Sequence, residues 1–361
     1  PGEEWATLSY GLAQRARLLN LILADLYGSQ TLLKEGIVPP EVVYGAGGWL
    51  PAAFGTQAPG GVFLHSYAAD LLRSPDGQWW VVADRTQAPS GAGYALENRM
   101  IMSRAFPELL STMPVATLTE FFSKFRESLA YHSPCNGESP RIVVLTPGPL
   151  NETYYEHSLL ARYLGFPLVE GGDLTVRDGF VWLKTISGLQ RVHAILRRQD
   201  DAYCDPLELR SDSALGVAGL TDCARRGAVL LANALGSGVV ESAALQGFLP
   251  AACRFLLGEE LALPSVGTWW CGEAAAMNYV RANLEDLVIK SVQGIGDFAP
   301  IFGQDLSIEA RDALLEQIGS SPDKYVAQEW VRLSQAPVLN RRPGALQIDA
   351  RSVGLRAYAV A

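Results

Sequence analysis

The sequence predicts an α/β protein built from several lobes, and three observations carry that prediction. The chain has 361 residues, more than one ordinary core accommodates, since single cores stop growing near roughly 250–300 residues. Beyond residue 141, apolar runs of strand length alternate with segments of helical period, as in an open parallel sheet. On either side of that stretch the strands come in pairs, which gives the flanking lobes an α+β character. Hydrophobic residues make up 48% of the chain and charged residues 19%, a balance that buries a core and excludes disorder.

Residues 5–27 place Leu8, Leu12, Leu18, Leu19, Ile22 and Leu26 at helical spacing, with Gly28 where a C-cap belongs. This amphipathic docking helix dominates a first segment, 1–43. The glycine-rich YGAGGWLP (44–51) opens a second, 44–135. There VFLHSYAADLLR (62–73) and QWWVVADR (78–85) flank SPDG, a hairpin signal. APSGAGYALENRMIMSRAF (88–106) reads as a turn feeding a helix that Pro107 ends, and another helix follows near 117–131.

A composition shift at SPCNGESP (133–140) leads into segment 136–263. It runs strand RIVVLTPG (141–148), a helix at about 153–164, strand FPLVEGG, an Asp-Gly hairpin across 173–184, strand RVHAILRR, a helix, strand VLLAN (229–233) and a further helix. The last segment, 264–361, carries a helix around 273–283, strand DLVIK (286–290), a helix at 307–318, strand KYVAQEWV (324–331) and a terminal strand pair across 345–360.

Lysine and arginine total 29 against 38 acidic residues, a formal charge of −9, which argues against nucleic acid or an anionic membrane surface as partner. No apolar run reaches the roughly 18–20 residues of a bilayer span, and the leading PGEEW lacks the features of a signal peptide, so a cytoplasmic protein is expected. Starting at Pro1 and stopping at Ala361 inside an apolar run, the chain reads as a piece of something longer. Cys135, Cys204, Cys223, Cys253 and Cys271 form no CxxC, and His65, His132, His157 and His193 form no HExxH, so neither a disulfide framework nor a zinc site is predicted.

Several stretches carry chemistry. DLVIK delivers Lys290 to a loop containing Gly294 and Gly296, which suits an ammonium and backbone amides on phosphate oxygens, or else a surface lysine at a strand end. Gln328 and Glu329 interrupt the apolar run of a second strand, as a base-reading edge or a solvated one. Arg197 and Arg198 crowd a strand end with Asp200, Asp201 and Asp205, where a substrate carboxylate binds in open α/β sheets; a structural ion-pair network is the alternative. Ser90 and Gly91, and Asn233 through Gly238, are anion-binding turns or plain caps. His157 reads as a buried hydrogen-bonding group, and Trp269, Trp270 and Cys271 as core packing.

The order of DLLRSPDGQWWVV, APSGAGYALENR, YYEHSLLARYLGFPLVEGGDL, LRRQDDAYCDPLELRSDSALGVAGL, LVIK and YVAQEW resembles the circularly permuted ATP-grasp family, relatives of glutathionylspermidine synthetase, over nearly the whole chain. The resemblance implies an ATP-grasp fold whose magnesium-binding segment comes first, then a Rossmann-like substrate lobe, then an ATP-clamping lobe. It implies ATP and Mg²⁺ as cofactors. It also implies a ligase that joins a small carboxylate to an amine through an acyl phosphate, with positioning and charge neutralisation as the protein's task. By the same resemblance Lys290 holds phosphates, Lys324 is a second phosphate lysine, Gln328 and Glu329 meet the adenosine, and Asp70 is the first magnesium carboxylate. Transglutaminase-like and amidohydrolase-like proteins are the implied associates.

The pattern breaks where relatives place a glutamate and an asparagine on the second hairpin strand; this chain has Ala83, Asp84 and Arg85. An even hairpin loop puts Asp70 on one face with Ala83 and Arg85; an odd one brings Asp84 beside Asp70 as a second metal carboxylate. In the even case Arg85 occupies the cation position and pairs with Asp70. ADRTQAPSG (83–91) resembles a catalytically inactive branch joined to an Alpha-E domain, so the rival to the ligase is a scaffold with a nucleotide pocket.

Overall fold

The computed structural model describes residues 2–113, 115–292, 299–342 and 345–361. Helix α1 (Gly2–Leu26) buries Leu8, Leu12, Leu18, Leu19, Ile22 and Leu26, a stripe repeating every three to four residues that makes it the spine of the main core. The same core takes in Val81, Val143, Leu231, Trp270 and Val326. It therefore runs across the segment boundaries expected at 43, 135 and 263, with two further apolar clusters beside it, one around Phe122 and Leu160 and one around Val280 and Ile318.

The first hairpin joins β1 (Ser66–Arg73) to β2 (Trp79–Arg85). Gly77 takes a φ of 92°, Ser74 N donates to Gln78 O at 2.9 Å, and the Asp76 carboxylate accepts from Gln78 N at 3.0 Å. Arg73 pairs with Trp79, so the connection is odd, but the register then shifts: Leu71 faces Val81 while Asp70 faces Ala83. Val82 is the extra residue of a β-bulge. An odd loop alone would bring Asp84 to the Asp70 face, and the bulge reverses that parity.

Strands β3 (Ile142–Leu145), β4 (Leu168–Val169), β8 (Ala194–Arg197) and β9 (Leu230–Ala232) form a parallel sheet in the order β4–β3–β8–β9. Between β4 and β8 the chain makes an antiparallel meander of β5 (Leu174–Arg177), β6 (Phe180–Thr185) and β7 (Gly188–Arg191). Asp178 and Gly179, at φ 51° and 75°, supply the two left-handed residues that a tight hairpin turn requires. The single strand expected over RVHAILRR is thus two, because Val192 and His193 pass the chain from the meander into the sheet.

The last sheet runs β10 (Thr268–Trp270), β13 (Tyr325–Glu329), β11 (Leu287–Ser291), β12 (Ile301–Phe302), all antiparallel. Helices Ala274–Asn283 and Ile308–Ser320 pack Met277, Val280, Leu314 and Ile318 beneath it. The terminal strand pair expected across 345–360 does not form. β15 (Ala345–Ser352) pairs instead with β14 (Gln335–Arg342). β16 (Gly354–Val360) returns to the open edge of β1, where Arg356 meets Asp70 and the small Ala357 fits the buried face.

Candidate functional site

The three-stranded sheet β16–β1–β2 presents two faces of opposite character. Asp70 lies opposite Arg356 on one side and Ala83 on the other, with Arg85 two pairs further along β2 and so on the same face. Arg356 donates to both carboxylate oxygens of Asp70, from Nε at 2.6 Å and Nη2 at 3.0 Å. Arg85 Nε adds a third contact at 3.1 Å. Partial burial pushes the Asp70 carboxyl up, but Arg356 and then Arg85 pull harder, and its pKa lies below the usual value. The Asp70 hydrogen bond also raises the pKa of Arg356 against the effect of burial. Beside this trio is a polar cavity of about 320 Å³, lined by Arg85, Gln87, Ser90, Asp200, Glu241 and Arg356. Glu241 accepts from the backbone amides of Thr86 and Gln87, yet burial holds its pKa above the ordinary carboxylate value.

Asp84 sits on the opposite face, 1% exposed. Arg15 of α1 grips it with two hydrogen bonds of 2.7 Å, and Tyr67 donates its hydroxyl at 2.6 Å. Arg15 also donates to Leu263 O and Ser265 Oγ. The expectation that Asp84 joins Asp70 around a metal is corrected by this geometry: the bulge turns it inward, and its oxygens are committed to fixed donors. Sequence reasoning passed over Arg15, although a charged residue in the Leu8–Leu12–Leu19–Ile22 stripe was the available signal.

Lys290 and Gln328 come together across the β11–β13 pair. Lys290 Nζ donates to Gln328 Oε1 at 2.5 Å, and Gln328 Nε2 donates to Gln246 Oε1 at 2.8 Å and Thr268 Oγ1 at 3.2 Å. Gln328 is 1% exposed, so its amide is an interior group and not the free edge expected for a base. Burial, followed by the charge of Arg85, lowers the pKa of Lys290, while Asp70 opposes the shift. The charges of Arg85 and Asp70 thus reach Lys290. Glu329 and Lys324 are exposed; Glu329 bonds through its backbone N to Gly267 O at 2.8 Å. Gly294 and Gly296 lie outside the described residues.

Of the arginine pair expected to hold a substrate carboxylate, Arg197 is committed to contacts within the fold. Arg197 is fully buried, ion-paired to Asp201 at 2.6 Å, with Nη1 donating to Gln199 O at 2.6 Å and Nε to Asn233 O at 3.3 Å. Arg198 reaches Glu156 at 3.6 Å and donates to Pro89 O at 3.0 Å. The Arg197 guanidinium, taken up by backbone carbonyls and a carboxylate, has little left for a ligand, whereas Arg198 keeps a buried Nε without a hydrogen-bond partner. The amides of Gly91 and Gly93 both donate to Glu156 Oε1, at 2.7 and 2.8 Å, which makes that turn a cap. His157 lies between Thr146 and Thr153 at 2.9 and 3.0 Å, a buried hydrogen-bonding group.

Magnesium fits this donor set poorly. The hairpin offers one carboxylate beside the cavity, Asp70, which two guanidinium groups already neutralise; of the carboxylates in the cavity wall, Asp200 and Glu241, the latter already accepts from two backbone amides. Among the described residues no group of three or more His, Cys, Asp or Glu side chains is arranged to hold a metal ion. Nor is any helix among them long and apolar enough to cross a membrane.

A hairpin that precedes the lysine strand, with a parallel sheet between the two and the lysine strand inside an antiparallel sheet, is the segment order of a permuted ATP-grasp protein. The chain belongs to the family described as circularly permuted ATP-grasp type 2, whose family model matches residues 1–361. An uncharacterized protein of Synechocystis is 40% identical over 355 residues, covering 98% of this chain and 73% of its own length. An uncharacterized protein of Mycobacterium tuberculosis is 42% identical over 359 residues, covering 99% of this chain but only 40% of its own length. Another from the same organism is 38% identical over 357 residues, with 64% of its length covered, so the chain spans well under the full length of these mycobacterial relatives. Among solved structures, a glutathione synthetase-like effector from Globodera pallida in its apo form shares the fold at a TM-score of 0.61 and 14% identity, covering 100% of this chain and 86% of that one.

Proposed function

We propose that this chain is a nucleotide-binding ATP-grasp module in which Arg85 and Arg356 take over the charge-neutralising task of magnesium. On this reading it binds ATP without forming an acyl phosphate on its own. The observation that carries the proposal is the state of Asp70: both oxygens are held by arginines, and Asp84 is turned to the other face. Two guanidinium groups in the cavity wall, with the Lys290 ammonium close enough to feel the charges of Arg85 and Asp70, suit the oxygens of a triphosphate. Asp70 then keeps the arginines in place until phosphate displaces it. The module would serve as a scaffold for a peptide-modification partner such as an Alpha-E or transglutaminase-like protein.

The second reading is an ATP- and magnesium-dependent carboxylate–amine ligase. Family membership and the glutathione synthetase-like fold favour it. Calorimetry with a non-hydrolysable ATP analogue, with and without Mg²⁺, separates the two. The scaffold reading expects binding that is indifferent to magnesium and weakened by Lys290→Ala. Binding that needs Mg²⁺, with phosphate release in the presence of an acid and an amine, overturns it in favour of the ligase.

A further inference from the structure

Asp84 and Gln246 lie outside the cavity, yet hydrogen bonds connect them to Lys290 through one unbroken path. Arg15 and Tyr67 fix the Asp84 carboxylate. Gln246 Nε2 donates to Asp84 Oδ2 at 3.2 Å, Gln328 Nε2 donates to Gln246 Oε1 at 2.8 Å, and Lys290 Nζ donates to Gln328 Oε1 at 2.5 Å. The polarity of the path is determined from both ends. A carboxylate held by Arg15 only accepts, so Gln246 must turn its NH₂ toward it and its oxygen away. An ammonium only donates, so Gln328 must turn its oxygen toward Lys290. The two amides then meet NH₂ to oxygen, the one arrangement that satisfies both.

We propose that Gln246 is a positioning residue for Lys290, and that Asp84 with Arg15 anchors this relay from the N-terminal helix. The inference rests on the assignment of Lys290 to the nucleotide pocket. It gives the inward-turned carboxylate a role: Asp84 sets the direction of two amides that present an acceptor to the lysine. It also makes α1 part of the site, since Arg15 is the cation at the far end. Reversal of either amide would place an NH₂ group against the ammonium. Arg85 and Asp70 are the charged groups that reach Lys290 from the neighbouring hairpin, and the relay supplies its neutral acceptor on the β13 side.

The test is trace acetylation of Lys290 with acetic anhydride across pH 7–11, read by peptide mass spectrometry without nucleotide. Gln246→Met is close in volume and removes both the donor to Asp84 and the acceptor for Gln328. The released Gln328 amide no longer holds its oxygen toward Lys290, so the labelling profile shifts to lower pH and acetylation at pH 8 speeds up several-fold. Gln246→Glu ionises within this pH range and moves the profile the other way, to higher pH, because the added carboxylate favours the Lys290 ammonium. Gln328→Met, which removes the acceptor directly, reproduces the shift if Gln246→Met fails to fold. Folded variants whose Lys290 profiles all match the wild type overturn the relay. Protection of Lys290 by an ATP analogue is scored separately: lack of protection in the wild type counts against the nucleotide assignment and leaves the relay result standing.

Discussion

The two Arg–Asp clusters on the β1–β2 hairpin use the same chemistry for different ends. Arg15 and Asp84 are both fully out of solvent, whereas in the Asp70 cluster the side chains of Asp70, Arg85 and Arg356 keep 22%, 43% and 33% of their exposure. A buried ion pair is held by the cost of leaving either charge alone, so it behaves as a fixture. A half-exposed trio sits closer to water, where each ion pair contributes little and partners exchange readily. The inward face of the sheet is therefore anchored, and the outward face is the one that can open to an anionic ligand.

The largest expected effect comes from breaking the anchored face. Arg15→Met leaves Asp84 buried without its counter-ion and should destabilise the protein by about 3–5 kcal/mol, the range for a buried pair that loses one partner. Urea unfolding measures it. Adding Asp84→Leu removes the stranded charge and should recover part of the loss. A destabilisation below about 1 kcal/mol for Arg15→Met, the surface-pair range, would erase the contrast between the faces.

A smaller effect, dependent on pH, sharpens the contrast between interior and surface. Burial, with His132 beside it, pushes the pKa of His65 down to about 3, and burial with Arg198 does the same to His157. Unfolded histidine binds its proton near pH 6.5, well above both folded values. The unfolded state therefore holds more protons between about 3 and 6.5, and stability falls as the pH drops through that window. Each histidine contributes up to about 1.4 kcal/mol per pH unit. Urea midpoints from pH 7.5 to 5 should show the slope, and His65→Leu should make it shallower; an unchanged slope would count against His65 as a source.

The same division explains what the sequence disclosed. Helical spacing, the Asp-Gly turn and the strand–helix alternation are local signals, and they located α1, the first hairpin and the parallel sheet. The partner of β16 was not legible, because strand LRAYAV carries no mark of the edge it joins. The face of Asp84 was equally hidden, since a bulge at Val82 depends on packing and not on residue type. Lys290 stood out because a charge at the end of an apolar strand is locally visible, and Asp70 through the resemblance of its hairpin to a known family. Gln246 did not, because its position becomes meaningful only when Asp84 and Gln328, 162 and 82 residues away in the chain, close around it.

The smallest structural effect should carry the clearest functional signal. Asp70→Asn removes the carboxylate that both exposed arginines grip, and its stability change should stay within about 1 kcal/mol, as for other partly exposed pairs. On the arginine-for-magnesium reading, Asp70 competes with phosphate for Arg85 and Arg356. Its loss should therefore tighten binding of an ATP analogue by about three- to tenfold, the upper figure corresponding to about 1.4 kcal/mol. The gain should shrink as salt screens the freed guanidinium groups. A magnesium-dependent ligase predicts the opposite sign, because the same substitution deletes its metal carboxylate. Calorimetry on Asp70→Asn in the presence and absence of Mg²⁺ thus turns the difference between the two faces into a choice between the two functions.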